Sequence, residues 1–550
     1  MSVHLHFNSS VAEVEPGQSL FTCGEAMGIA VPSSCRMQGR CKECVVEVVE
    51  GMDCLSRPAP EEKHLRGPFR LSCCARIARE EGTVRCHTMR RGTMKIEKQS
   101  FALPAGSRQW SLDPTVTRDG ERILLDGEEI DRSSGPLHGL AVDLGTTTVV
   151  LRLLNLETGA VVADASFENP QRFGGSDVMA RIQYDTEDRT GTLRRTLVGY
   201  LGRAITELPV DPRSIYEIAI AGNSTMRDLF FRLPVYSIGQ SPYQSITEQE
   251  MAAGLRTTTS LADTASRLGL PAHPRARVYG LPIISGHVGA DAAACMLAID
   301  LANEDRLVAV MDIGTNTELI LGNRHRVLAA SCPAGPAFEG GQVTFGMPGL
   351  PGAIERVVIR DDGGVETTVI GGGPAEGLCG SGLVDLLSEL LRTGRMNALG
   401  RFEEAGTAFT VSSEGDRPVT FSESDVNVLA QAKGANVAGL QIAFAEYGAS
   451  YADLGVFYLA GGFGRHLGVE SSKRIGLVPN LEASRIVQIG NASVEGACIA
   501  LLSRAKRAEL EALVRRVIHC RLETHPRFFD HFVEGCQFGP VEDKTEVPGL

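Results

Sequence analysis

The chain has 550 residues, of which 43% are hydrophobic, and a formal net charge of −13. Such a length exceeds a single compact core, so we expect three or more structural units. The negative charge argues against nucleic acid as a partner, because phosphate backbones bind basic surfaces. The N-terminus has no basic segment followed by an apolar one, and no uncharged apolar run of about 18 residues occurs. The sequence therefore predicts a soluble, cytoplasmic protein with no membrane partner.

Four cysteines near the N-terminus have the spacing of iron–sulfur ligands. Cys35, Cys41 and Cys44 are separated by five and two residues, and a further cysteine follows at Cys73 or Cys74. Three thiolates on a tight loop and a fourth from a distant strand can enclose the two irons of a [2Fe–2S] cluster. A zinc site would favour two C-x-x-C pairs, and the loop has one. The motif therefore predicts an electron carrier.

The fourth ligand is ambiguous because two cysteines are adjacent. From Cys44, 28 residues intervene before Cys73 and 29 before Cys74, and the longer gap fits plant-type ferredoxins. The string ending at Cys73, Arg-Leu-Ser-Cys, resembles instead the R-L-x-C of vertebrate-type ferredoxins. We take Cys73 as the predicted ligand and keep Cys74 as the alternative.

Residues 1–92 also resemble ferredoxins in their hydrophobic pattern. Apolar residues alternate with His over residues 3–7, residues 20–28 have a helical pattern, and residues 45–49 form a β-type run directly after the third cysteine. These elements predict a small β-grasp domain.

Residues 93–138 are predicted to be a linker, with a short hairpin at residues 121–130. Pro and Gly interrupt a polar, charged stretch there. A flexible segment of about 45 residues would have a root-mean-square span near 35–40 Å, which would let the first domain swing between an electron donor and an acceptor. The alternative is that the segment packs against the folded units that it joins.

A candidate nucleotide-binding turn occurs twice beyond the linker. Residues 139–148 and 308–317 each read as an apolar strand, then Asp-x-Gly-Thr followed by Thr or Asn, then a second strand. The glycine lets backbone N–H groups point into a cleft, the neutral side chains can donate to phosphate oxygens, and Asp can hold hydrated magnesium. The residues with these features are Asp143, Gly145, Thr146, Thr147, Asp312, Gly314, Thr315 and Asn316. A single copy would be weak evidence, but two copies imply two related lobes that face each other across a cleft.

A third glycine-rich segment completes the set. Residues 456–464 form an apolar strand that ends at Gly461 and Gly462, where backbone can lie against an adenine and its ribose. The three segments resemble the phosphate-1, phosphate-2 and adenosine motifs of the actin, sugar kinase and chaperone ATPase superfamily. That resemblance implies a multidomain chain of α+β and α/β type, with ribonuclease-H-like lobes at residues 139–304 and 305–550.

Three further strings fit the predicted fold. The first two have two interpretations each, and the third has a structural one. Residues 334–341 fit the cleft or the contact between the lobes. At residues 380–382, glycines could place helix N–H groups near a phosphate or allow close packing of a helix on a strand. Asn223 or Ser224 is predicted to cap a helix.

The combination of domains resembles the reductive activators of corrinoid-dependent enzymes, and the likeness covers nearly the whole chain. Similar strings occur at residues 169–171, 175–178, 222–226, 286–291, 334–340 and 431–435. The resemblance implies that the protein returns inactive Co(II) corrinoid to Co(I) with one electron from its cluster and energy from ATP. It implies [2Fe–2S], ATP and Mg²⁺ as cofactors, and a corrinoid protein and an upstream electron donor reductase as partners. Whether the chain forms a homodimer stays open.

The resemblance also assigns roles to the candidate residues. Asp143 and Asp312 would act catalytically through magnesium or its water, and Thr146, Thr147, Thr315 and Asn316 would hold phosphates. Gly461 and Gly462 would border the adenosine. Two other functions use similar parts: a redox-regulated small-molecule kinase, and an ATP-dependent electron donor to another low-potential enzyme. A non-catalytic scaffold is the third alternative.

Overall fold

The structure is a computed structural model that describes residues 2–8, 10–29, 31–33, 35, 37–89, 110–188, 190–403, 408–414, 418–462 and 464–541. The N-terminal domain is built from β1 (Val3–Phe7), β2 (Ser10–Val14), α1 (Leu20–Ala26), β3 (Val45–Glu50), β4 (Phe69–Leu71) and β5 (Gly82–Thr88). Its sheet has the order β2-β1-β5-β3-β4, with β1 and β5 parallel at the centre. In β1 the apolar side chains are fully buried and alternate with the two histidines. This arrangement confirms the predicted β-grasp domain.

The segment predicted to be a linker contains a folded sheet. Residues 93–109 lie outside the described residues, but β6 (Val116–Asp119), β7 (Arg122–Leu125) and β8 (Glu128–Arg132) form an antiparallel sheet that includes the predicted hairpin. Val116 and Ile123 are buried in a core shared with lobe I, and the Tyr216 hydroxyl donates to Asp131 at 2.8 Å. This part of the segment is therefore packed against the folded unit that follows it, as in the alternative prediction.

Lobe I contains a six-stranded sheet with helices on its faces. Its strands are β9 (His138–Leu144), β10 (Thr148–Asn155), β11 (Val161–Glu168), β12 (Ile215–Gly222), β13 (Leu261–Thr264) and β14 (Arg277–Gly280). Its helices are α2 (Val178–Glu187), α3 (Thr192–Thr206), α4 (Ser224–Phe230), α5 (Ile246–Ala252), α6 (Ala265–Leu268) and α7 (Ala290–Ala298). The sheet order is β11-β10-β9-β12-β14-β13, with β9, β12 and β14 parallel.

Lobe II repeats the same sheet. Its elements are β15 (Val308–Ile313), β16 (Thr317–Gly322), β17 (Val327–Cys332), β18 (Ala353–Ile359), β19 (Val365–Val369), β20 (Gly377–Leu378), α8 (Gly380–Arg392), β21 (Ala408–Ser412), β22 (Val419–Ser422), α9 (Glu423–Tyr447), β23 (Val456–Ala460), α10 (Val469–Ile475), β24 (Ile486–Gly490), α11 (Ala492–Leu502), α12 (Arg504–Val514), β25 (Ile518–His519) and α13 (Phe528–Gly535). The main sheet has the order β24-β23-β15-β16-β17-β25, with β23 parallel to β15 and to β24. Five strands thus match those of lobe I in order and direction, which confirms the predicted pair of related lobes.

Two buried helices, α7 and α11, pack against each other where the lobes meet. A Cβ atom on Gly496 in α11 would lie 2.0 Å from the carbonyl oxygen of Ala294 in α7, so only glycine fits there. This backbone contact holds the two sheets on either side of a cleft. Within the described residues, no helix is long and apolar enough to cross a membrane.

Candidate functional site

The two lobes enclose a cavity of about 280 Å³. It is lined by all ten residues that the sequence predicted for the cleft: Asp143, Gly145, Thr146, Thr147, Asp312, Gly314, Thr315, Asn316, Gly461 and Gly462. Residues 145–147, which we call turn 1, join β9 to β10 in lobe I. Residues 314–316, which we call turn 2, join β15 to β16 in lobe II. The duplicated fold thus brings the two turns to one cavity.

Backbone geometry explains two of the glycines in this cavity. A Cβ on Gly145 would lie 2.5 Å from the carbonyl oxygen of Thr148 across the reversal of the chain. Gly461 has a φ of +107°, and a Cβ there would lie 2.4 Å from the carbonyl oxygen of Ile313. The third glycine segment is therefore packed closely against the end of β15, directly before turn 2.

Three carboxyl groups face one another at the base of the cavity. Burial and the charge of Asp143 raise the pKa of Asp312 to about 7. Burial, with both of these carboxylates nearby, also raises the pKa of Asp291 to about 7. Burial raises the pKa of Asp143 as well, against hydrogen bonds from Asn491 and Ser493, both at 2.9 Å. The sequence analysis did not identify Asp291, although it lies in the string 286–291.

A fourth carboxyl group bridges the two turns. The Thr147 hydroxyl of turn 1 lies 2.9 Å from the Thr315 hydroxyl of turn 2, and both donate to one oxygen of Glu339. Burial raises the pKa of Glu339 above its usual value. The sequence analysis quoted Glu339 only as part of the string 334–341, which lies, as predicted, at the cleft.

The side-chain amides of two asparagines donate hydrogen bonds to turn 1. The Asn223 amide donates to the Thr146 hydroxyl at 2.9 Å and also caps α4, which confirms the predicted helix cap. The Asn169 amide donates to the carbonyl oxygen of Gly145 at 2.8 Å, and its backbone N–H donates to that of Thr147 at 2.6 Å. Spacing along the chain gave no sign of these contacts.

The structure confirms the packing interpretation of the glycine string at residues 380–382, and the phosphate interpretation stays a prediction. Gly380 and Ser381, at the N-terminus of α8, line the cavity. Gly382 is needed for packing, because a Cβ there would lie 2.2 Å from the carbonyl oxygen of Ile354 in β18. The first two residues of α8 thus line the cavity, while Gly382 packs against β18.

Lys433, in another of the quoted strings, has a structural role. Its ammonium group is buried on α9 and donates to the carbonyl oxygens of Gly535 and Gln537 at the end of α13. Burial lowers the pKa of Lys433 to about 8. This residue lies away from the cavity-lining set and stabilises a helix end.

The four predicted cluster cysteines form two pairs, Cys44 with Cys73 and Cys35 with Cys41. The sulfurs of Cys44 and Cys73 are 3.3 Å apart, and that of Cys74 lies 3.7 Å from Cys73. Burial opposes the charged form of Cys35, but hydrogen bonds from the backbone N–H groups of Cys41, Arg40 and Gln38 and from the Cys41 side chain lower its pKa to about 7. Within the described part of the chain, no three His, Cys, Asp or Glu side chains are grouped closely enough to hold one metal ion. The charge of Cys35 also acts on Cys44, so the two pairs lie near each other.

These features define a class of protein: a ferredoxin-type domain joined to a two-lobed fold of the actin and sugar kinase type. Family models match three successive regions: "2Fe-2S iron-sulfur cluster binding domain" at residues 5–78, "RACo middle region" at 138–304, and "C-terminal domain of RACo the ASKHA domain" at 306–549. The first of these matches supports a [2Fe–2S] cluster in the N-terminal domain.

Individual relatives agree with this class. Corrinoid activation enzyme RamQ of Eubacterium limosum is 30% identical over 453 residues, which span 77% of this chain and 74% of the relative. A Co(II) methylated amine-specific corrinoid protein reductase of Methanosarcina barkeri is 24% identical over 447 residues, or 75% of this chain and 81% of the relative. The solved structure of a reductive activator for corrinoid, iron-sulfur protein is 26% identical, with a TM-score of 0.72 and 100% of both chains covered. The chain belongs to this RACo-type family of reductive activators.

Proposed function

We propose that this protein is an ATP-dependent reductive activator that returns the Co(II) corrinoid of a methyltransferase-associated corrinoid protein to Co(I). The observation that carries the proposal is the joining, in one chain, of a ferredoxin-type cysteine site to a cleft lined by two phosphate-binding turns. Relatives across most of the chain are named for corrinoid activation and reduction.

Energetics give ATP its role. When bound, the [2Fe–2S] cluster supplies one electron, at potentials near −400 mV in plant-type ferredoxins. Each ~59 mV by which a one-electron donor falls short costs a factor of ten in equilibrium. Nucleotide can offset that shortfall only by binding two states of the protein with different affinity. We therefore assign to the cleft a change in the angle between lobes that favours Co(I).

We assign the cluster ligands to Cys35, Cys41, Cys44 and Cys73. The choice of Cys73 over Cys74 is supported by its sulfur contact with Cys44. Backbone N–H groups directed at Cys35 favour its thiolate, which is the form that binds iron.

In the cleft, we assign phosphate binding to Thr146, Thr147, Thr315 and Asn316, with the backbone of Gly145 and Gly314. Gly461 and Gly462 would border the adenosine. Asp143 and Asp312 would hold Mg²⁺ through its water molecules. Mg²⁺ keeps several waters and takes one or two carboxylates together with nucleotide phosphates, which fits carboxyl groups that repel one another while facing an open cavity.

Glu339 is a further candidate for the hydrolysis step. Its carboxylate accepts from the same two threonine hydroxyls that we assign to phosphate, so a phosphate would compete with it for these donors. A buried carboxyl group with a raised pKa is also suited to take a proton from an attacking water. Glu339 thus links phosphate binding to the contact between the lobes.

Replacing Glu339 by Gln tests this role. We expect tighter ATP binding, because a negative charge beside the phosphates is removed, and hydrolysis slower by about 10²–10⁴-fold, because the base is lost. Equilibrium nucleotide titration and phosphate release measure the two effects. The exposed Glu366, replaced by Gln, is the matched control. A Glu339→Gln protein that hydrolyses ATP at the normal rate would remove Glu339 from the mechanism.

The proposal also implies partners and a location. A one-electron carrier must be reduced again after each transfer, so an upstream electron donor reductase is required. All 14 cysteines carry free thiols, which a reducing compartment preserves, and we place the protein in the cytoplasm. Association of two chains stays open.

The direct test mixes the cluster-loaded protein, a reductant, Mg²⁺-ATP and a Co(II) corrinoid protein, and follows the Co(I) absorption band. We expect the band to grow with ATP and to stay absent without it. Equal growth in both mixtures would contradict the proposal, and so would steady ATP turnover that leaves Co(II) unchanged.

A further inference from the structure

The N-terminal domain docks on lobe I through the strand that follows the cysteine loop. We call this contact the docking interface. Glu47 in β3 pairs with Arg172 of lobe I, and Arg66 pairs with Glu187 at 3.1 Å. The Thr196 hydroxyl in α3 donates to the carbonyl oxygen of Lys42 at 3.5 Å. One side of the cysteine loop therefore rests on lobe I.

The two ion pairs of the docking interface differ in burial. Arg172 contacts Glu47 and also Glu168 of β11, and the three side chains are 22%, 15% and 6% exposed. Arg66 and Glu187 are 82% and 51% exposed, and such surface pairs add little. Arg172 is thus the main charged contact of the interface, because its pairs are shielded from water.

The segment that carries Arg172 is bonded directly to turn 1. Asn169 holds the carbonyl groups of Gly145 and Thr147, while its side-chain oxygen accepts from the backbone N–H of Gln171 and caps the 3₁₀ helix Pro170–Gly174. Arg172 belongs to that helix. Only two residues therefore separate a contact with turn 1 from a contact with the N-terminal domain.

A buried amide without a hydrogen-bond partner lies in the same segment. Gln171 is fully buried, and neither atom of its side-chain amide has a hydrogen-bond partner among the described residues. Unsatisfied buried amides are rare and destabilising. A second position of the 3₁₀ helix in which this amide is hydrogen-bonded would avoid the free-energy cost of the unpaired amide. The segment therefore has a physical reason to adopt such a position.

We propose that residues 169–172 couple the nucleotide cleft to the docking of the N-terminal domain, with Arg172 as a positioning residue. A phosphate that binds turn 1 shifts the backbone of this turn. Because Asn169 is hydrogen-bonded to turn 1, the 3₁₀ helix shifts with it, and the ion pair between Arg172 and Glu47 changes. The inference rests on the proposed function, because it requires that turn 1 binds nucleotide.

Hydrogen exchange on the cluster-loaded full chain tests the coupling, with and without a non-hydrolysable ATP analogue. In the wild type we expect the analogue to change exchange in β3 and α3. Asn169→Asp keeps the helix cap but loses the amide donor to Gly145, and Arg172→Gln loses the ion pairs. In both variants we expect the analogue to bind while β3 no longer responds.

Activity gives a second readout. Coupling between two sites typically changes affinity by about 5–150-fold, so we expect Arg172→Gln and Glu47→Gln each to lower ATP stimulation of corrinoid reduction by about tenfold. The double variant should lose no more than Arg172→Gln alone, because Glu47→Gln removes only a contact that Arg172→Gln already removes. Arg66→Gln, which removes the exposed pair of the same interface, should behave as wild type.

The outcomes separate this inference from the proposed function. If the wild type binds the analogue and β3 and α3 exchange unchanged, the coupling is overturned while the proposed function stands. A normal exchange response in Arg172→Gln also overturns it. Absence of nucleotide binding to the wild type overturns both.

Discussion

Replacing Asp312 by Asn is expected to reduce ATP-dependent Co(I) formation by about 10²–10³-fold, the usual cost of losing one electrostatic contact to a reacting group. Asp312 lines the cavity beside turn 2 and is assigned here to hold hydrated Mg²⁺. Asn has nearly the same shape and can still accept from the Cys295 thiol, which lies 3.3 Å away. It also removes the repulsion with Asp143, so the fold should not be weakened.

The control measurements for Asp312→Asn are spectroscopic and kinetic. The visible spectrum of the cluster should be unchanged, because the substitution lies in lobe II. Asp361→Asn, at an exposed turn of the same lobe, should reduce Co(II) at the wild-type rate. A normal rate in Asp312→Asn, or a lost cluster, would reject the assignment.

Replacing Cys73 by Ser is expected to remove most of the cluster, whereas Cys74→Ser should keep it. The sulfur of Cys73 lies against that of Cys44, and their shared hydrogen bond lowers the pKa of Cys44. Iron content and the visible and EPR spectra of the purified variants measure the difference.

The two serine variants control for each other, because they make the same chemical change at adjacent positions. A shift of the remaining spectrum in Cys73→Ser would be expected if some cluster assembles with a serine oxygen. Loss of the cluster in Cys74→Ser with a normal spectrum in Cys73→Ser would reverse the assignment to Cys74.

Local repeats in the sequence predicted most of the fold and the lining of the cleft. The Asp-x-Gly-Thr turns were recognisable because each fixes a strand, a reversal and a strand within about ten residues, and duplication then fixed their mutual placement. The β-grasp domain was predicted for a similar reason, since its cysteine spacing and the alternation in β1 are local patterns.

Contacts between distant residues were not predictable in the same way. Glu339 meets Thr147 across 192 positions of the chain, and no pattern at either end indicates the other. Asn169 and Asp291 act through packing that only the folded lobes create. The sheet at β6 to β8 was predicted only as a hairpin, because its short strands are largely polar and their few apolar residues are buried against lobe I.

The folded sheet of the linker region limits the distance between the N-terminal domain and the two lobes. Asp113, just before β6, is hydrogen-bonded to both Leu502 and Arg504 of lobe II, so the chain is fixed to the lobes from this residue onward. At 3.3–3.6 Å per residue, the 21 residue steps from Met89 to Trp110 span at most about 75 Å. One domain confined to that radius has a local concentration of about 1 mM, which makes its docking on lobe I independent of dilution. A corrinoid protein must therefore bind near the lobes to receive the electron, because the cluster stays within that distance of them.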